Sequence, residues 1–527
     1  MTSAPPPVAS AGVATGTSVL VRDVRVVDLE TPSDPALTPV DVRIVDVRIV
    51  DGIVREVGPH LARRGAEIID GGGRFVIPGL WDQHVHLGQW ALSTSRLDTS
   101  GTRSPEDACA IVAAALPGLP PGATLQGWGH RSATWTRAPG TADLDAVAGD
   151  RPVVLISGDG HHGWLSSRAQ RLLGLEPRPG VIAEAEWFAL FPRLIDLPGV
   201  GQTVQDACAT VVSAANARGV TGIVDLEWVD GPPVGTPPAP RASGAALRVR
   251  RAVYEAGLEE ALAHGLRTGE LLPGSDGLVT MGPFKIISDG SLNTRTAYCC
   301  TPYTDATPIP GDEQHDRGVQ NVPLPALTSL LSRAHAGGLQ VALHAIGDAA
   351  VADALQAFEA TGARGTVEHA QLMAWSDVDR MARLGIAASV QPAHLWDDRD
   401  VTMACWADRA ERCFPLRSLL DAGVDVRLGS DAPVSPLDPW LAMAAAVHRS
   451  ADDRPPWHPE QALTVAEALS SSTDGVRGVE VGGPGDLVLL ETNPLAAQDL
   501  PSGEAAAALQ QTGIVATLVA GRVVHAS

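Results

Sequence analysis

Lysine is almost missing from this sequence. Of its 39 lysine and arginine side chains only Lys285 is a lysine, in the segment Gly-Pro-Phe-Lys-Ile-Ile-Ser-Asp-Gly. A guanidinium stays charged at any physiological pH, whereas a desolvated lysine amine can lose its proton. A neutral amine of that kind can take up carbon dioxide as a carbamate, a carboxylate on a long arm able to bridge two metal ions. The plain alternative is a leftover surface lysine or a buried ion pair.

Other shortages exclude whole classes. Aromatic residues make up only 4% of the chain, so a core must come from Ala, Val and Leu, which 45% hydrophobic content over 527 residues allows. The six cysteines (109, 208, 299, 300, 405 and 413) form no C-x-x-C pair, which argues against a disulfide framework or a thiolate zinc site. A formal charge of −22 speaks against nucleic acid or an anionic membrane as the main partner. No apolar run reaches membrane-spanning length. The Ala/Pro/Ser-rich start has no basic residue and no apolar stretch of signal-peptide type. The expectation is a cytoplasmic protein with a small-molecule substrate, no nucleic-acid or membrane partner, and a state compatible with a homodimer.

What is present is a pattern of alternating strands and helices. Residues 18–58 read as short Val-rich strands with charged residues between, and the pattern returns at 485–491 and 514–524, so both ends are expected to meet in one β-sandwich. The repeat DVRIV-DVRIV (41–50) is odd-numbered, which predicts a bulge or a lengthened loop. Between the ends come apolar strands at 75–86, 219–226, 247–254, 283–288, 339–344, 365–369, 386–391 and 424–430. Helical runs at 349–360 and 376–384 lie among the later ones. Eight β/α units predict a closed (β/α)8 barrel of the α/β class, whose chemistry sits at the C-terminal strand ends. The expected division is a disordered tail at 1–17, a composite sandwich from 18–77 and 482–527, and a barrel at 78–481. An insertion at about 93–205 is a candidate lid, and the proline-rich stretch 231–240 an exposed loop.

The residues suited to chemistry fall at those strand ends. His84 and His86 are two apart on one strand and share a face. His344, His369 and Asp431 close three later strands, and Lys285 lies on the fourth. Each has a dull reading, a histidine satisfied in the core or an aspartate capping a helix. Together, imidazole and carboxylate ligands without thiols favour zinc, with manganese, iron or nickel allowed by ligand type. Trp81, Trp90, Trp128, Trp135, Trp164 and Trp396 near the same loops hint at an apolar substrate group.

The stretches PGLWDQHVH (78–86), DLDAVAGDRPVVL (143–155), DGHHGWLSS (159–167), FKIISDGSLNTRTA (284–297), HAIGDAAV (344–351), VEHAQ (367–371) and LGSDAPVSPLDPW (428–440) occur in that order. On them the chain resembles the metal-dependent amidohydrolase superfamily, in its YtcJ-like branch with the N-substituted formamide deformylases. The resemblance implies a metal-dependent hydrolase of a non-peptide C–N bond in an amide, N-formyl or cyclic-amide substrate, acting through a metal-bridging hydroxide. It implies two divalent ions, His84, His86 and Asp431 holding the more buried one and His344 and His369 the other. Carboxylated Lys285 would bridge them, and Asp431 would shuttle the proton. His161, Asp289 and Arg295 are candidate substrate contacts. Ser167, His162 and Asn293 depart from the branch's usual residues, which bears on substrate shape. A mononuclear aminoheterocycle deaminase is the alternative, but Lys285 and the lack of His-x-x-Glu after His344 speak against it. An ester or lactone hydrolase on the same site stays open. A metal-free scaffold is disfavoured because all six ligand positions are filled.

Overall fold

Parallel strands covered on both faces must be apolar nearly throughout, and eight such segments pair side by side. They are β1 (Leu80–Val85), β2 (Val220–Asp225), β3 (Arg248–Val253), β4 (Val279–Ile287), β5 (Val341–Ala345), β6 (Gly365–His369), β7 (Ala387–Val390) and β8 (Val426–Leu428), neighbours in that order. The computed structural model describes residues 18–29, 44–93, 96–200, 203–228, 246–273, 275–305 and 316–527. The expected tail, the loop 231–240 and residues 41–43 of the repeat lie outside the described residues. Helices between the strands present apolar stripes to the barrel. In Leu324–Ala336, Leu327, Leu330, Leu331 and Ala334 are buried, the spacing of one helical face.

The ring closes between β8 and β1. Val85 bridges Ala432 in parallel. The Asp431 amide donates to the His84 carbonyl (2.8 Å), and the His86 amide to the Ala432 carbonyl (2.9 Å). The buried Asp82 carboxylate fastens the seam by accepting from the Ser430 amide (2.9 Å) and the His84 amide (3.1 Å). A side chain at Gly429 would meet the His84 nitrogen at 2.9 Å, so only glycine lets the strands approach this closely.

Each expected barrel strand is found, with one correction. The first was placed at 75–86, but Glu67–Pro78 is a separate strand in a second sheet, and β1 starts only at Leu80. Gly79 breaks the run where its amide donates to the Asp486 carbonyl (2.9 Å) and a Cβ would strike Thr221 Oγ1 at 2.1 Å.

That second sheet has seven strands and joins both chain ends, in the order Arg522–Ala526, Ile514–Val519, Leu487–Leu490, Glu67–Pro78, Ser18–Val26, Ile44–Val50 and Ile53–Gly58. The expected bulge is present, but in the partner strand. Arg22 and Asp23 of Ser18–Val26 together face Asp46, the first residue of the second DVRIV copy. Asp46 Oδ1 accepts from the Asp23 amide (3.1 Å). The insertion carries a five-stranded sheet of Ile182–Ala183, His162–Leu165, Val153–Ser157, Leu125–His130 and Leu97–Asp98. Among the described residues no helix is long and apolar enough to cross a membrane.

Asp486 locks the terminal sheet to the barrel. Its carboxylate takes Arg248 Nε of β3 (2.5 Å) and the Ala520 amide (2.6 Å) while only 4% exposed. Asp486→Ala should lower unfolding stability by roughly 3 kcal/mol, the low end for a broken buried pair because Arg248 keeps some solvent contact. Urea denaturation compared with wild type measures this, and an unchanged midpoint would show that the pair contributes nothing.

Candidate metal centre

Strand alternation sends His84 and His86 to the same side of β1, at the mouth of the barrel. His84 is fully buried and His86 half-buried. His84 Nε2 lies 3.4 Å and His86 Nε2 3.2 Å from the same oxygen, Asp431 Oδ1. The ring centres of His84 and His369 are 5.0 Å apart, and those of His344 and His369 4.6 Å. Lys285 points into the same space from β4, and its buried Nζ has no hydrogen-bond partner among the described residues. All six expected ligands thus line one cavity of about 340 Å³.

Two of these side chains leave regular strand geometry. His369 (φ 71°) and Asp431 (φ 57°) occupy the left-handed region, which costs a non-glycine residue on the order of 1–3 kcal/mol and concentrates at functional sites. The turn at His369 also breaks the alternation of β6. Glu368 therefore faces the same centre, its Oε2 2.7 Å from His84 Nδ1 and its other oxygen taking the Thr366 hydroxyl. Sequence reasoning missed Glu368, because period-2 geometry assigns it to the face opposite His369. It also missed His394, one turn beyond β7 in the short helix Pro392–His394. The signal for His394 was another histidine just past a strand end.

Burial and the neighbouring Lys285 hold His84 and His344 well below the usual imidazole range, and burial with His344 does the same to His369. These rings are neutral donors. At His86 burial opposes the charge, but the hydrogen bond and charge of Asp431, with the charge of Glu227, together outweigh it and the pKa rises. Asp431 remains ionised: burial works against it, and His86 more than compensates. Three neutral imidazoles near an ionised carboxylate suit a divalent ion, which would displace the proton that Asp431 favours on His86. Ligand atoms of His84, His86 and Asp431 lie within 4.8 Å of one another, as do those of His369, His394 and Asp431. The residues fit a metal, and no cysteine lines the cavity.

The three expected substrate contacts separate. His161 lines the cavity from the insertion, with Nδ1 3.3 Å from Glu184 Oε2. Burial opposes its charge, yet Glu184 and Asp159 push it up to about 9. Asp289 does not line the cavity. It is fully buried as a bracket, accepting from the amides of Tyr298 (2.9 Å), Ile346 (3.1 Å) and Gly347 (2.9 Å), and stands 3.4 Å from His344 Nε2. Burial raises its pKa to about 7. Arg295 turns away from the cavity to pair with Asp305 (2.9 Å). Of the six tryptophans singled out, Trp128 and Trp396 line the cavity, Trp81, Trp135 and Trp164 are buried packing residues, and Trp90 packs half-buried against the core.

The insertion is tied across the mouth by polar contacts. Arg131 Nε meets Asp397 Oδ2 at 2.8 Å, Ser291 Oγ donates to Asp159 Oδ2 (3.2 Å), and Thr294 Oγ1 to Glu184 Oε1 (2.7 Å). Trp128, Phe188 and Phe191 add an apolar wall.

A (β/α)8 barrel with imidazoles, an aspartate and an unpaired lysine at its C-terminal strand ends defines a metal-dependent hydrolase. The chain belongs to the amidohydrolase family, whose profile matches residues 67–525. It is 27% identical over 469 residues to YtcJ of Bacillus subtilis (strain 168), a protein named as an amidohydrolase, covering 82% of this chain and 86% of that one. It is 26% identical over 540 residues to the N-substituted formamide deformylase of Arthrobacter pascens, covering 91% and 96%. In fold it is similar to a metal-dependent hydrolase of Pyrococcus horikoshii at a TM-score of 0.73 and 23% identity, over 92% of this chain and 99% of that one.

Glu368 fixes the orientation of His84 without reaching the cavity itself. Glu368→Gln should weaken metal binding about 10–100-fold, the loss typical when a histidine ligand's hydrogen-bond partner is removed. Titrating metal into the chelator-treated protein checks this, and wild-type affinity would show that the contact is dispensable.

Proposed function

We propose that the chain hydrolyses an amide, N-formyl or cyclic-amide bond of a small molecule, using two divalent ions that its ligand types suit to zinc. Two such ions, when bound, supply Lewis acidity and lower the pKa of a water. His84, His86 and Asp431 hold one, and His344 and His369 the other. Lys285 carries this reading. Burial pulls its ammonium below the usual value, although Glu368 and Asp431 pull the other way, and its Nζ finds no partner among the described residues. An unprotonated amine there adds carbon dioxide, forming an N–C bond as one C–O π bond opens and losing one proton, and the resulting carboxylate would supply the cavity with an anionic metal ligand.

Asp431 then takes the proton of the attacking water and returns it to the departing nitrogen. His161, with Nδ1 held by Glu184, lines the cavity and would present its ring to the substrate. The wall of Trp128, Phe188 and Phe191 suits an apolar or aryl substituent. The name of the Arthrobacter relative supports an N-formyl substrate.

A panel of N-formyl and N-acyl amines, lactones and aminoheterocycles should show turnover of the first class. Turnover confined to lactones would overturn the assignment. Lys285→Arg keeps a cation but cannot form a carbamate. It should lose more than about 10²-fold in kcat/KM, beyond what loss of a mere orienting partner causes, together with metal occupancy. Near-wild-type turnover in that variant would refute the bridging role.

A further inference from the structure

His394 belongs to none of the roles above, yet its ring is aimed at the centre. It follows β7 in the single turn Pro392–His394, with its side chain only 10% exposed. Its Nε2 is buried and has no hydrogen-bond partner among the described residues, and the same holds for Nδ1 of His369. Buried polar nitrogens are ordinarily paired, so two orphans on neighbouring rings mark a place where something else binds. Their rings lie 6.2 Å apart and nearly parallel, at 24°.

Asp431 connects this pair to the first site through its other oxygen. Oδ1 faces His84 and His86 at 3.4 and 3.2 Å, whereas Oδ2 faces His394 Nε2 at 3.9 Å. Bonds of about 2.0–2.1 Å in a tetrahedron separate neighbouring ligand atoms by roughly 3.3–3.5 Å. The first site already has that spacing, and the second is slightly wider. His344 is less free than His394, because its Nε2 is turned to the Gly290 carbonyl (3.2 Å) and Asp289. It joins neither three-residue ligand group.

We infer that His394 is a further metal ligand, forming with His369 a second site beside Asp431 Oδ2. The inference rests on reading the pocket as a metal centre. It adds an imidazole to the ion that His344 and His369 hold, and leaves Asp431 its role in moving the proton.

The test uses the full chain, stripped with a chelator and titrated with Zn²⁺ or Co²⁺, with stoichiometry from elemental analysis and affinity from calorimetry. Wild type should take two equivalents. In His394→Ala the weaker step should lose at least tenfold in affinity while the tighter step is unchanged. His394→Cys should restore binding and give the cobalt-loaded protein a thiolate-to-cobalt charge-transfer band that wild type lacks. This second variant decides the matter if His394→Ala does not fold, as judged by circular dichroism of the metal-free protein. Wild-type binding in both steps of His394→Ala, no new band in His394→Cys, or a single equivalent in wild type would each overturn the inference. A failed search for an amide substrate leaves these metal measurements standing, and unchanged metal binding in His394→Ala leaves the hydrolysis assignment standing.

Discussion

The seam where the last barrel strand meets the first sets the geometry of everything at the mouth. Asp82 pins Ser430 and His84 by their amides, Gly429 leaves room for the close approach, and Asp431 hydrogen-bonds through its own backbone to His84. These contacts join residues some 350 positions apart in the chain and hold the Asp431 carboxylate against both histidines of β1. Without closure the ligands from the two ends of the barrel would not share one centre.

Once closed, the barrel forces groups into a space that water cannot fully reach, and burial then sorts their charges. His84, His344 and His369 are kept neutral, Asp431 stays ionised through His86, and Lys285 is pulled toward its free amine. No one of these states is intrinsic to the side chain. Each follows from desolvation weighed against a named neighbour, and together they describe a pocket electrostatically prepared for cations. The left-handed conformations at His369 and Asp431 are sustained by the same framework.

The insertion supplies the roof. Its acidic residues Asp159 and Glu184 grip the loop after β4 through Ser291 and Thr294, while Arg131 reaches Asp397 beyond β7. Family membership bears on the reaction class, but the cavity is lined by this roof as well as by the strand ends, and fold alone does not specify a substrate. Here the roof offers one imidazole, His161, and an aromatic wall.

Much of the centre was legible in the sequence. His84, His86, Lys285, His344, His369 and Asp431 each sit at or near the end of an apolar run, and a barrel gathers strand ends by construction, so linear position alone predicted their meeting. The eight strands were legible for the same reason, apart from residues 75–78, where an uninterrupted apolar run hid a change of sheet at Gly79. Side chains whose direction departs from simple strand alternation were not legible. Glu368 joins the centre because His369 breaks the alternation, and His394 because one turn of helix aims it back. Asp289 is absorbed by backbone amides and Arg295 by Asp305. Periodicity determines which face a residue takes along a strand. Beyond the strand the direction is set by contacts with segments distant in the chain, and only the folded structure decides those.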